Sequence, residues 1–432
     1  MPKKIAVIGL QTGDEGKGKI AQVIGSLAAE RVGIVPDFIP RPVLVERYDG
    51  GPNAGHTLII GGETHKLHQV PCGFSFPQTY NLLGENMYIN PRKLLQEIKL
   101  LQSAGFPLHN WNLGVAATAQ VIMDYHVKED QLAFGQQEHT STGNGMKQAA
   151  VDKYGRVGIR FIEFLDQELM MECLRKRFPE KMPAEQGTYY GFADSYAKER
   201  EFLAQFVTPA HAARRTHGTE YWIGEGANGF LLDVNAGQYP GVTSSNIALV
   251  PNGTDLIIGV VKLYSSSVGT GDRAFMSRMN SDLETILREK WGEFGSTTGK
   301  KREIGWFDAV AVKYAVDTTQ TDYLAGTCGD RLEELNRMKE PLQLVTGYKI
   351  GRKIYREWDI SFHRRDTLSQ VEPIFEEFTP WEKFTEKDGL TLTAPAQRYV
   401  DRIQQLTGKE FVLLGTGPAQ EEVVVYRNPL DL

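Results

Sequence analysis

Short apolar runs alternate with amphipathic stretches along most of the chain. KKIAVIGL (3–10) is an apolar run closing on Gly and Leu, and it predicts a buried strand. Behind it Ile20, Val23, Ile24, Leu27 and Ala28 recur at helical spacing, so the opening reads as strand, loop, helix. PVLVERY (42–48) predicts a second strand expected to lie beside the first, and LIIGGETHKLHQV predicts a hairpin turning at Gly61 and Gly62. Asn90-Pro91 opens a helix carrying Leu94, Leu95, Ile98 and Leu101, which Gly105 stops. YWI (221–223), LIIGVVKLY (256–264) and FVLLG (411–415) predict buried strands, and GWFDAVAVKYAV and AQRYVDRIQQL predict helices. The fold class expected is α/β, with a large, mostly parallel, doubly wound sheet. Residues 166–215 are rich in charge and helical in pattern, while 376–396 mixes Pro, Gly and acidic residues. They predict a helical lobe and a peripheral loop region on a single domain spanning 1–432.

Composition narrows the function classes. At 432 residues and 41% hydrophobic, the chain can bury a sizeable core. A formal charge of -6 with no block of Lys and Arg argues against a nucleic-acid polymer or an anionic membrane as partner, and leaves small anionic ligands open. Cys72, Cys173 and Cys328 are odd in number and widely separated, which suits neither a disulfide framework nor a zinc cluster and fits a reducing, cytoplasmic setting. No leader precedes the first strand, and no apolar run approaches the ~20 residues that span a bilayer, so a soluble protein is expected.

Gly-rich polar loops follow the predicted strands, which in open α/β sheets is where ligands bind. In GLQTGDEGKGK, Gly13, Gly18 and Lys19 satisfy G-x-x-x-x-G-K, with Ile20 where such loops place a magnesium-holding hydroxyl. Backbone N–H groups at a helix start can cradle phosphate there, although a glycine turn joining strand to helix would carry the same residues. Asp14 separates the two readings. A carboxylate among anion-binding amides repels the anion unless it holds a metal or removes a proton from a substrate. PNAGHT (52–57) supplies Asn53 and His56, and the base Asp14 and the acid His56 are expected to face one cavity. GSTTGKKR (295–302) sets small donors beside three cations, as a dicarboxylate requires, and is otherwise an exposed basic turn. Asp330 in TCGD is either a base-reading carboxylate or a helix N-cap ahead of RLEELNRM.

Taken in order, GDEGKGKI, GG-x-NAGHT, STG-x-G, DK-x(2)-R-x-G-x-R, EGA-x-G-x-LLD, YPGVTSSN, VVK-x-Y, FG-x-TTG-x(2)-R, GW-x-DAVA and TGP resemble the adenylosuccinate synthetase family over nearly the whole chain. That resemblance implies a GTP-dependent, Mg2+-requiring ligase that joins L-aspartate to C6 of IMP through a 6-phosphoryl intermediate. It implies Asp14 as base, with His56 and Lys17 at the transferred phosphoryl group, and Asp14 and the Gly55 carbonyl on Mg2+. It places the purine monophosphate at Asn53, Thr142, Asn228 and Thr243, with Arg156 reaching the 5'-phosphate in the other subunit of a homodimer. Aspartate falls to Thr297, Thr298, Lys300 and Arg302. The triphosphate falls to Gly13, Glu15, Gly16, Gly18, Lys19, Gly55, Thr57, Asp330, Gly415, Gly417 and Pro418.

The chain departs from the family's pattern at five places. Asn228 stands for a Gln at the purine, Lys300 for an Arg with a bidentate fork, Cys328 for a Lys that packs on guanine, and Gly415 for a Ser in that same pocket. Pro52 stands where Asn or His is commoner, as in divergent phage and archaeal-type relatives, some of which act on deoxyguanylate. Those phage enzymes typically carry Ser at the position of Asp14, so Asp14 favours a hypoxanthine whose N1 proton needs a base. Ligation to a GMP- or dGMP-type nucleotide, or with ATP as donor, is the alternative within the family. A catalytically silent nucleotide-binding protein is the alternative outside it, and a Rossmann dehydrogenase ranks last because GLQTGDEG is not G-x-G-x-x-G.

Overall fold

The apolar run at the start forms strand β1 (Lys3–Gly9), with Ile5 to Ile8 almost wholly buried, and helix α1 (Lys17–Val32) follows the glycine loop. Strand β2 (Val43–Gly50) is buried along its whole length. Strands β3 (His56–Ile60) and β4 (Glu63–Leu67) form the expected hairpin, and both Gly61 (φ 58°) and Gly62 (φ 83°) take the left-handed backbone such a turn needs. After β5 (Thr79–Ile89), helix α2 (Pro91–Ser103) begins as predicted, because Asn90 Oδ1 accepts from Lys93 N at 3.1 Å, and it ends before Gly105 at φ 91°. This computed structural model describes residues 1–33, 40–134, 142–183, 186–268, 276–295 and 299–432.

The chain divides into two compact units. The first comprises residues 1–4, 24–56 and 66–226. Its strands run Val207–Thr208, Leu113–Ala116, β5, β2, Tyr221–Glu225 from side to side, all parallel. The neighbours of β2 are therefore β5 and Tyr221–Glu225, not β1, which corrects the expectation that the first two strands lie side by side. Chain order misled here, since the strand against β2 comes from more than 170 residues further on. Between 166 and 216 this unit holds helices Gln167–Arg177, Tyr189–Asp194, Ala197–Leu203 and Ala210–Thr216.

The second unit comprises residues 5–23, 57–65 and 227–432. β1, Leu256–Lys262, Tyr323–Thr327 and Phe411–Gly415 pair in parallel, in that order, and Val423–Val425 closes the edge antiparallel. Helix Ala309–Thr319 leads into the third of these strands and Ala394–Thr407 into the fourth, as parallel crossovers require. The helix predicted over GWFDAVAVKYAV starts only at Ala309, because Asp308 caps it by accepting from Ala311 N at 3.1 Å while Gly305 and Phe307 stay in strands. The α/β class with a mostly parallel sheet is thus the one the pattern predicts. Among the described residues no helix is long and apolar enough to cross a membrane.

Candidate functional site

In the second unit the loops after β1, Lys262, Thr327 and Gly415 all leave the carboxyl ends of neighbouring parallel strands. The loop after β1 folds back over its own strand. A Cβ on Gly9 would lie 2.5 Å from Glu15 Oε2 and 2.8 Å from Lys17 Nζ, so only glycine fits. Glu15, fully buried, accepts from Gln11 N at 3.0 Å and Gly13 N at 2.8 Å, and pairs with Lys17 Nζ at 2.7 Å. Lys17 Nζ also donates to the Gly13 carbonyl at 2.9 Å. One of the loop's two acids is therefore an internal strut that closes the turn. Thr327 Oγ1 donates to the Glu15 carbonyl at 2.7 Å, fastening the loop to the end of the Tyr323–Thr327 strand.

Asp14 has a different setting. Its side chain is about a quarter exposed, and its Oδ2 lies 2.8 Å from Arg302 Nε. Arg302 donates from Nη1 to Glu293 Oε2 at 2.7 Å, and Glu293 is wholly buried. Glu293 Oε1 also accepts from Lys262 Nζ at 2.8 Å, from Arg331 Nη1 at 2.7 Å and from the Tyr264 hydroxyl. Burial alone would raise the Glu293 pKa, but the charges of Lys262, Arg302 and Arg331 hold its carboxyl well below the usual carboxylate range. Three cations meet one buried carboxylate, so the hub carries an excess of positive charge suited to anionic ligands.

Asn228 sits against the same loop. Its backbone is left-handed (φ 56°), the Gly13 backbone approaches it closely, and Leu231 N donates to the Gln11 carbonyl at 2.9 Å. Asn228 Nδ2 is buried with no hydrogen-bond partner among the described residues. A buried amide donor without a partner is uncommon in a folded protein. Thr243 N donates to the Leu232 carbonyl at 2.8 Å, tying that position to the short turn Phe230–Leu232.

At the far strands, Lys19 Nζ donates to the carbonyls of Gly417 at 2.5 Å and Glu422 at 2.8 Å. Asp330 is not the N-cap the sequence offered as one reading: Gly329 holds that position, and Asp330 is the first residue of the turn Asp330–Leu332, with no capping side-chain bond. Burial pushes its carboxyl pKa up, against the charges of Arg331 and Lys19. Lys300 and Arg302 are described, whereas Thr297 and Thr298 lie outside the described residues.

In the first unit the turn 51–54 carries Asn53, whose Oδ1 is buried without a hydrogen-bond partner among the described residues. His56 is buried at the start of β3, and its Nδ1 pairs with the Glu225 carboxylate at the end of strand Tyr221–Glu225. Glu225 also accepts from Cys72 N at 2.8 Å. Although burial favours its neutral form, His56 and Arg47 bring its pKa down to about 2. The carboxylate fixes the orientation of the imidazole ring. Arg156 is exposed in a left-handed turn (φ 60°) after helix Met146–Tyr154. The Asp152 carbonyl closes that turn, and the Asp152 carboxylate is held by His126 Nε2 at 2.9 Å and Arg177 Nε at 2.7 Å. Thr142 is exposed, its Oγ1 accepting from Asn144 Nδ2 at 3.1 Å.

The second unit thus brings Asp14, Arg302, Asn228 and Lys19 onto one set of loops, while Asn53, His56, Thr142 and Arg156 belong to the first. Glu293, Arg331 and Glu225 escaped sequence reading. Glu225 and Lys262 stand inside the motifs EGA and VVK, and Glu293 lies two residues before GSTTG, so adjacency to a motif was the only signal.

The adenylosuccinate synthetase family model matches residues 6–424. The chain is 33% identical to the adenylosuccinate synthetase of Caldanaerobacter subterraneus subsp. tengcongensis over 98% of its own length and 99% of the relative's. It is 33% identical to that of Lysinibacillus sphaericus over 98% of each. Its fold matches the fully ligated adenylosuccinate synthetase of Plasmodium falciparum with a TM-score of 0.80 and 25% identity, covering 98% of this chain and 100% of that one. It also matches a cyanophage S-2L succinoaminodeoxyadenylate synthetase bound to dGMP and dATP, with a TM-score of 0.58 over 99% of this chain and 96% of that one; at 18% identity that likeness is one of fold alone.

Proposed function

The chain belongs to the adenylosuccinate synthetase family, and from that premise we propose that it joins L-aspartate to C6 of IMP with GTP, giving adenylosuccinate, GDP and phosphate. Asp14 removes the N1 proton of the hypoxanthine, and the electron density gained by O6 attacks the γ-phosphorus of GTP, breaking its bond to the bridging oxygen of GDP. The resulting 6-phosphoryl group makes the former carbonyl oxygen a leaving group. The aspartate amine then adds at C6, loses a proton, and phosphate departs with O6.

The observation that carries this reading is the division of labour between adjacent acids. Glu15 is buried as a strut, whereas Asp14 is partly exposed and lies 2.8 Å from Arg302, a member of the loop assigned to aspartate. His56, oriented by Glu225, donates to the γ-phosphoryl oxygens as charge develops there. Lys17, bound to Glu15 and Gly13, braces the loop that carries the base. Arg302 and Lys300 hold the aspartate carboxylates with Thr297 and Thr298, and Asn53, Thr142, Asn228 and Thr243 hold the purine nucleotide. Glycines 13, 16, 18 and 55 with Thr57 line the phosphates, and Asp330 with Gly415, Gly417 and Pro418 take the donor base. Arg156 reaches the 5'-phosphate in the partner subunit of a cytoplasmic homodimer.

The residues proposed to hold Mg2+ are Asp14, through its partly exposed carboxylate, and Gly55, through its carbonyl; a carboxylate and a carbonyl are the hard oxygen donors that this ion takes. The ion would supply charge neutralisation at the transferred phosphate.

A second reading rests on Asn228 and Cys328: a shorter amide at the purine and a missing Lys at the donor base suit a GMP- or dGMP-type acceptor or ATP as donor. Incubating the protein with aspartate, Mg2+ and each pair drawn from IMP, GMP or dGMP and GTP or ATP, then weighing the succinylated nucleotides, separates the two. Product from IMP and GTP supports the first reading. Product only from a guanine nucleotide supports the second, and none from any pair removes both.

A further inference from the structure

We infer that Lys19 is a positioning residue for the base of the triphosphate donor, acting on the loop that receives the base and not on the phosphates. The inference rests on the function proposed above. Lys19 lies on the first turn of α1, inside the glycine loop, where a lysine is expected to face phosphate. Its side chain is buried and runs the other way. The ammonium donates to the carbonyls of Gly417 at 2.5 Å and Glu422 at 2.8 Å, both in the segment between strands Phe411–Gly415 and Val423–Val425.

That segment is also bonded to itself, with Glu422 N donating to the Ala419 carbonyl at 3.2 Å and Val423 N to the Glu421 carbonyl at 2.9 Å. Thr416 N donates to the Glu422 carbonyl at 2.9 Å, and Ala419 N donates to Glu422 Oε2 at 2.7 Å from the exposed side. A Cβ on Gly417 would come within 2.4 Å of the Glu422 carboxyl carbon, so the Glu422 side chain lies against Gly417, and Lys19 bonds the same loop through its carbonyls. A Cβ on Gly415 would lie 3.2 Å from Lys19 Nζ, so the ammonium occupies the space beside a residue that has no side chain here. Charge-assisted bonds to carbonyls are among the stronger hydrogen bonds a loop can gain, and removing the ammonium takes the charged donor from both, leaving the Glu422 carbonyl with Thr416 N alone. Burial lowers the Lys19 pKa against the pull of Cys328, Glu422 and Asp330. The clamp therefore couples the phosphate loop to the pocket that reads the base.

The test uses the full-length protein and two probes, GDP and inorganic tripolyphosphate, each with Mg2+. Lys19→Met is expected to weaken GDP about tenfold, or about 1.4 kcal/mol, while tripolyphosphate stays within about twofold. The KM for GTP rises and those for IMP and aspartate do not follow it. Lys19→Arg recovers most of the loss, because its fork can reach both carbonyls. Glu422→Ala, which loosens the same loop from its exposed side, is expected to reproduce the selective loss and keeps the test open should Lys19→Met not fold. Equal losses on both probes would make Lys19 a phosphate ligand and overturn the inference, as would no loss on either. Wild-type protein that neither turns over IMP with GTP nor binds GDP defeats the functional reading itself, whereas wild-type turnover with an unselective Lys19 variant defeats this inference alone.

Discussion

Arg302 Nε lies 2.8 Å from Asp14 Oδ2 while the Nη1 of the same guanidinium is bonded to buried Glu293. The group proposed to deprotonate the purine and the group proposed to grip the amino acid are thus neighbours, anchored by one buried carboxylate.

Asp14→Asn keeps the shape of the side chain, and Arg302 keeps its bond to Glu293, so the variant is expected to fold and to bind nucleotides. Loss of a general base lowers turnover by about 10²- to 10⁴-fold. Steady-state kcat alongside calorimetric Kd values for GDP and IMP checks this, and near-normal kcat removes Asp14 as the base.

Glu293→Gln removes the carboxylate that Lys262, Arg302 and Arg331 share, leaving Arg302 with Asp14. Breaking a buried ion cluster from one side typically costs about 3–5 kcal/mol. Denaturant unfolding should show a loss of that order, with a raised KM for aspartate as Arg302 loses its anchor. A loss under about 1 kcal/mol, the range of exposed pairs, contradicts the hub.

Asp308 gives a pH signature. Burial raises its pKa from the ordinary aspartate range to about 6, against bonds from Ala311 N and the Tyr348 hydroxyl. A carboxyl whose folded pKa is raised binds its proton more tightly in the folded state. Its contribution is therefore greatest below about pH 4 and is lost as pH rises towards 6, by an amount on the order of 3 kcal/mol. Asp308→Asn keeps a capping residue and removes the titration. The unfolding free energy of wild type minus that of the variant should fall between pH 4 and 6.5, and a flat difference contradicts the assignment.

Much of the fold was legible because local signals and tertiary structure agree. The apolar run before GDEGKG is a strand, Asn90-Pro91 caps its helix, and FVLLG is buried. Charged cores were not legible. Glu225 meets His56 across 169 residues of sequence, and nothing in WGEFG announces that Glu293 is buried among cations. Spacing reveals which face of an element is apolar, but not which distant carboxylate it folds onto. The motifs named the candidate residues, but not the partners that orient them.

Arg156 tests the shared site. Arg156→Ala should raise the KM for the purine monophosphate. Mixing it with Asp14→Asn should restore about a quarter of wild-type activity, since half of randomly paired dimers then hold one intact site. A protein that sediments as a fully active monomer contradicts the arrangement.

The central claim is that O6 of the purine captures the phosphoryl group before nitrogen arrives. IMP carrying 18O at C6 tests it most directly, with the released phosphate weighed after turnover with GTP and aspartate. The account predicts one 18O per phosphate formed; unlabelled phosphate formed alongside the succinylated product would contradict it.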